Sequence, residues 1–120
     1  MGYENFDKLP LIESPMEIFE LRDREYKDLI ITNWKEGRST IKPDWQPEGK
    51  EVKVLRVWVP QSIKPMFPNY YDITAQGLIA QMLPFLQRSD FMKMKFRITK
   101  YGEPPKARFQ LQVKNETETF

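Results

Sequence analysis

KMKFRITKYGEPPKARFQLQVK, residues 93–114, is built of two alternating halves around a turn-like GEPPK. In the first half Met94, Phe96 and Ile98 are apolar, and Lys93, Lys95, Arg97 and Thr99 between them are polar or cationic. In the second, Phe109, Leu111 and Val113 alternate with Arg108, Gln110, Gln112 and Lys114. Neighbouring side chains of a strand point to opposite faces, so this stretch predicts an antiparallel hairpin with one apolar and one basic face. The apolar face needs a core to cover. The basic face needs water or an anionic partner.

The residues upstream supply that core. EVKVLRVWV, 51–59, reads as a central strand. Val52 and Val54 share one face while Leu55, Val57 and Val59 share the other, which predicts either cover on both faces or a bulge near Val54. YKDLIITNW, 26–34, is a further β-rich run, KEGRS reads as a turn, and STIK as a return strand. PDWQPEGK, 43–50, is a loop carrying Trp45, and PQSIKPMFPNYY, 60–71, is a proline- and aromatic-rich loop that fits either a recognition loop or a rigid lid. DITAQGLIAQMLPFLQ, 72–87, is the clearest helix: Asp72 can cap it, and Ala75, Leu78, Ile79, Met82, Leu83 and Leu86 recur at helical spacing until Pro84 ends or kinks it. Ser14-Pro15-Met16-Glu17 fits a capped helix start running to about Asp23, and MEIFEL fits a strand equally well.

These elements predict an α+β chain, mainly β with one or two helices. The architecture is either a small OB-like β-barrel or a twisted antiparallel sheet with one packed helix. An OB-like barrel carries five strands, usually with one helix between the third and fourth, and the 72–87 helix precedes the last two strands. Residues 1–13 read as an irregular arm, 14–114 as a single globular domain and 115–120 as a flexible acidic tail.

Composition narrows the chemistry. Of 120 residues 40% are hydrophobic, enough for a modest core, and none is cysteine or histidine. That excludes disulfides and thiolate chemistry and removes the commonest general base and transition-metal ligand. No glycine-rich phosphate loop is present. Asp23, Glu25 and Asp28 could hold Mg²⁺, but their spacing fits a solvated edge better. The expectation is no catalysis and no cofactor. No apolar run reaches membrane-spanning length and MGYENFDKLP lacks a signal-peptide core, so a soluble protein of the cytoplasm is expected, that of a virus- or phage-infected host cell included.

Charge is unevenly placed. Residues 1–37 carry nine acids against five bases, while 91–114 carry seven bases against Glu103 alone. A cationic sheet face can track a phosphate backbone, each neutralised phosphate releasing condensed counterions. Aromatic rings near it can stack bases at roughly 1–3 kcal/mol each. The candidate nucleic-acid contacts are Lys93, Lys95, Arg97, Arg108 and Arg56 for phosphates, and Trp34, Trp58, Tyr70, Tyr71 and Tyr101 for bases. The plainer reading of the same residues is a solvated outer face and rings that fill the core or plug loops.

The final KNETETF is acidic and ends in phenylalanine. With Glu116, Glu118 and Phe120 it resembles the C-terminal tips of bacterial and phage single-stranded DNA-binding proteins, and the basic, aromatic hairpin is of the same character. The resemblance implies single-strand binding, DNA rather than RNA, and docking of replication or repair proteins through Glu116, Glu118 and Phe120. The alternative is a protein-interaction or structural module, such as a small viral or phage assembly component. A homodimer is compatible with either.

Overall fold

The computed structural model describes residues 8–12, 15–42, 47–103 and 106–118. It is mainly β with one α-helix: β1 Tyr26–Leu29, β2 Asn33–Ile41, β3 Lys50–Trp58, β4 Tyr70–Ile73, α1 Gln76–Leu86, a 3-10 turn Phe91–Lys93, β5 Met94–Tyr101 and β6 Arg108–Asn115. Two antiparallel three-stranded sheets form, in the orders β1-β5-β6 and β2-β3-β4. Only residues 30–32 separate β1 from β2, so one bent run of chain serves both sheets. The sheets do not close into a barrel, since β4 and β6 do not pair. Trp45, Ser14 and Phe120 lie outside the described residues.

The quoted hairpin forms with Lys95 opposite Lys114, Arg97 opposite Gln112, Thr99 opposite Gln110 and Tyr101 opposite Arg108. Its apolar side chains turn inward: Met94, Phe96 and Ile98 are buried, and Phe109, Leu111 and Val113 pack against the same cluster. Gly102, at φ +82°, supplies the left-handed residue that starts the turn. The outer edge of β6 is covered by a side chain. Gln81 of α1 donates from Nε2 to the Phe109 carbonyl at 3.0 Å and accepts from the Leu111 amide at 3.2 Å, as a further strand would.

The helix is shorter than its sequence pattern. Asp72 is not its cap but a β4 residue, and Ala75 caps without a side-chain bond. Leu78, Ile79, Met82 and Leu86 are buried against the sheets and Leu83 packs at the margin of the core. Each buried aliphatic side chain contributes roughly 1.5–3 kcal/mol. Pro84 sits in the last turn, and the helix ends two residues after it.

KEGRS is not a turn, because β2 passes straight through it, paired with β3 from Asn33 opposite Trp58 to Ile41 opposite Lys50. Gly37 is there for close approach: a Cβ at this position would lie 2.5 Å from Ile12 Cδ1 and 2.8 Å from the Pro10 carbonyl oxygen. Ile12 belongs to a second, smaller core. The same pairing leaves no bulge at Val54, and β3 is covered on both faces. Leu55, Val57 and Val59 face the main cluster, whereas Val52 and Val54 pack with Ile12, Met16 and Ile41.

What covers that second face is the N-terminal segment. It is extended, neither the helix nor a full strand that its sequence allowed. The Ile12 amide donates to the Arg38 carbonyl and the Arg38 amide to the Pro10 carbonyl, both at 2.9 Å, along the outer edge of β2. Farther on, the Asp72 amide donates to the Glu17 carbonyl at 2.7 Å and the Phe19 amide to the Asp72 carbonyl at 2.9 Å, along the outer edge of β4. Residues 8–12 and 15–19 thus form a strap that holds both edges of the β2-β3-β4 sheet. Phe19 and Leu21 then enter the main core. A groove of about 560 Å³ remains where β4 and β6 fail to meet, lined by Ile18, Leu21, Ile73, Leu78, Lys100 and Phe109 among others.

Candidate functional site

Strand alternation and register assemble one polar face on the β1-β5-β6 sheet. Tyr26 and Asp28 come from β1, opposite Thr99 and Arg97. Lys95, Arg97, Thr99 and Tyr101 come from β5, and Arg108, Gln110, Gln112 and Lys114 from β6. Of the sequence candidates, Lys95, Arg97, Arg108 and Tyr101 therefore share a surface. Lys93 stands beside it, exposed on the short turn that leads into β5. Tyr26 and Tyr101 are both exposed rings.

The electrostatics of the face are less uniform than the sequence implied. Arg97 is gripped by Asp28, with Nε to Oδ1 at 2.7 Å and Nη2 to Oδ2 at 2.9 Å. Its guanidinium also stacks over the Tyr26 ring, 4.1 Å from the centroid. The hydrogen bond to Asp28 raises the Arg97 pKa above its ordinary value. Lys95 and Lys114 sit directly opposite each other. Like charges directly opposite on a sheet are unfavourable to one another. The four cations Lys95, Arg97, Arg108 and Lys114 outweigh Asp28, the one acid among the described residues of the face.

Arg56 and Tyr70 belong to a different surface, the strap-covered face of the β2-β3-β4 sheet. Arg56 and Asp72 oppose each other across β3 and β4. They pair at 2.7 Å from Nε to Oδ1 and 3.0 Å from Nη2 to Oδ2, with Arg56 only 5% exposed and Asp72 0%. Arg56 Nη2 and the Tyr70 hydroxyl both donate to the Pro15 carbonyl oxygen, at 3.3 and 2.5 Å. The Glu17 amide donates to Asp72 Oδ2 at 2.9 Å. Trp58, half-buried, flanks Tyr70 with ring centroids 5.9 Å apart. Trp34 and Tyr71 pack against the main core, Tyr71 edge-on to Phe19 at 5.2 Å.

The three carboxylates weighed as metal ligands each hold a protein partner. Asp23 Oδ1 accepts from the Gly102 amide, Glu25 Oε1 from the Arg22 amide, and Asp28 binds Arg97. Among the described residues no three Asp or Glu gather into a metal site, and no helix is long and apolar enough to cross a membrane. In the described part of the tail, which is exposed, the Glu116 amide donates to the Lys93 carbonyl, and Glu118 Oε1 accepts from the Asn115 amide. Glu118 lines a hollow of about 250 Å³ with Arg88, Lys93 and Lys114.

Tyr26 and Asp28 were missed as members of the face, because only the β1-β5 register puts them beside Arg97. The 60–69 loop also holds something the sequence left open. Met66 and Phe67 stand 77% and 87% exposed at its tip. Lys64 Nζ holds the loop from within, donating to the carbonyls of Met66 and Pro68 and to Glu17 Oε1. Asn69 Nδ2 donates back to the Lys64 carbonyl at 2.7 Å. Compared with protein-family models, curated proteins and solved structures, this chain matches none.

Proposed function

We propose that the chain binds single-stranded nucleic acid, DNA in the first instance, on the outer face of the β1-β5-β6 sheet and without chemistry of its own. The observation that carries this reading is the convergence of Lys95, Arg97, Arg108 and Lys114 with the exposed rings of Tyr26 and Tyr101 on one surface. Phosphates meet the cations. Bases stack on the tyrosines, which suits any sequence because every base has a π-face. Gln110, Gln112 and Thr99 between them can donate to phosphate or sugar oxygens. Counting β1 and β2 as one bent strand, the described residues carry five strands with the helix between the third and fourth, the order an OB-like barrel has. A fluorescence titration with a single-stranded oligonucleotide at two salt concentrations tests the reading. Quenching with a steep loss of affinity at the higher salt supports it, and no signal at low salt overturns it.

One observation favours the other reading, a protein-interaction module. Met66 and Phe67 form an apolar tip on a loop held by internal hydrogen bonds, and a preorganised apolar anchor is how a partner pocket is filled. The same titration separates the two, since a protein-docking module without a nucleic-acid face stays silent in it.

A further inference from the structure

Arg97 and Tyr26 do not stand on the face as a separate cation and ring. We infer that the two form one stacking platform, in which Tyr26 takes a base of the bound strand and Arg97 is the positioning residue that fixes the ring beforehand. This rests on the single-strand reading above and gives Arg97 a different part in it from Lys95, Arg108 and Lys114.

Three observations carry the inference. First, the Arg97 fork is already engaged. Nε and Nη2 bind the two carboxylate oxygens of Asp28 at 2.7 and 2.9 Å, directly across β1 and β5. A bidentate pair fixes the plane of the guanidinium as well as neutralising it. A phosphate would have to displace Asp28, so Arg97 adds little to counterion release. Asp28→Asn keeps an acceptor for Nε and frees the charge, so that change acts on the salt slope rather than on the stack. Second, the fixed plane carries the ring. Arg97 Cζ lies 4.1 Å from the Tyr26 centroid, within cation–π contact. Third, the outer member of the stack is the ring. Tyr26 is 54% exposed, whereas the Arg97 side chain is 24% exposed. With the guanidinium over one face, the other face of the ring is open to a flat ligand. The backbone beneath is tied down as well. The Arg24 amide donates to the Lys100 carbonyl at 2.7 Å and the Lys100 amide to the Glu25 carbonyl at 3.0 Å, just before Tyr26. A ring held in place before binding avoids the entropy loss that a mobile side chain suffers on binding.

The experiment titrates two labelled ligands at several salt concentrations: an oligothymidylate, and an abasic oligomer of the same length that keeps the phosphates but has no bases. The proteins are the natural chain, Tyr26→Phe, Tyr26→Leu, Arg97→Lys and the double variant of the last two. Lysine keeps the charge but has no planar fork to hold Asp28 and lie flat on the ring. Tyr26→Phe keeps the ring and binds oligothymidylate as the natural chain does. Tyr26→Leu binds it at least about five-fold more weakly, the loss of one stacked base. Arg97→Lys binds it at least about two-fold more weakly, the loss of a preordered ring. The double variant is no weaker than Tyr26→Leu alone, because Arg97 acts through the ring. All forms share one slope of log K against log salt and bind the abasic oligomer alike, which shows the cationic face intact. Four results each overturn the inference and leave the basic-face reading standing: Arg97→Lys or Tyr26→Leu binding like the natural chain, losses that multiply in the double variant, equal losses with the abasic oligomer, or a slope lowered by about 0.7, the mark of a lost phosphate contact. Failure of the natural chain to bind oligothymidylate at low salt overturns both.

Discussion

Asp72→Ala removes one partner of the ion pair that the strap seals. The wild-type carboxylate is fully buried and accepts from Arg56 Nε, Arg56 Nη2 and the Glu17 amide. Its loss strands a guanidinium in a site only 5% exposed, and breaking a buried pair from one side costs about 3–5 kcal/mol. A domain of this size is stable by only about 5–15 kcal/mol in total, so the variant loses a large share. Replacing both partners, Arg56→Met with Asp72→Leu, removes the desolvation cost as well as the attraction and leaves stability within about 1 kcal/mol of wild type or above it. Urea unfolding followed by the fluorescence of the three tryptophans reads both. With an m-value of roughly 1.5 kcal/mol/M, the single variant shifts the midpoint down by about 2–3 M while the slope stays constant. If Asp72→Ala shifts stability by no more than about 0.5 kcal/mol, the size of an ordinary surface change, water already reaches the pair and the strap does not seal it.

Four further outcomes follow from the same geometry. Leu78→Ala, at a side chain 1% exposed, costs roughly 2–5 kcal/mol in the same urea assay. The quadruple replacement of Lys93, Lys95, Arg97 and Arg108 by glutamine weakens single-strand binding and flattens the dependence of log K on log salt, by about 0.7 for each phosphate that is no longer neutralised. Asp28→Asn removes the carboxylate that grips Arg97 and does the opposite, tightening binding and steepening the slope. Deleting residues 116–120, which takes Glu118 out of the hollow shared with Lys93 and Lys114, tightens binding a few-fold at low salt and hardly at all at high salt, where such screened attraction fades.

The hairpin and the helix were legible in the sequence because each is a local pattern: period two in KMKFRIT and RFQLQVK, period 3.6 in GLIAQML. The polar phase of the hairpin placed Lys95, Arg97 and Arg108 on a common face for the same reason. The strap was not legible. Its partners on the sheet, Arg38, Val52, Val54, Arg56, Tyr70 and Asp72, all lie far from it in sequence, and contacts so far apart leave no periodic trace. Two local signals pointed at it without naming it. Val52 and Val54 were apolar on the wrong face for a one-sided strand, which left cover on both faces and a bulge near Val54 as equal readings. Gly37 looked like part of a turn, whereas its missing side chain makes room for Ile12. Arg56 and Tyr70 were read as ligand contacts from residue type and phase alone, and burial under Pro15 is a tertiary fact. Asp28, likewise, became Arg97's partner only through strand register.

The most direct measurement is the change in backbone amide shifts when a short oligothymidylate is added to the isotope-labelled chain at low salt. Binding on the basic face moves the amides of Lys95, Arg97, Thr99, Tyr101, Arg108, Gln110 and Gln112, and the perturbations shrink as salt is raised. Perturbations confined to the 60–69 loop or to α1, or none at all, would contradict a nucleic-acid site on the β1-β5-β6 sheet.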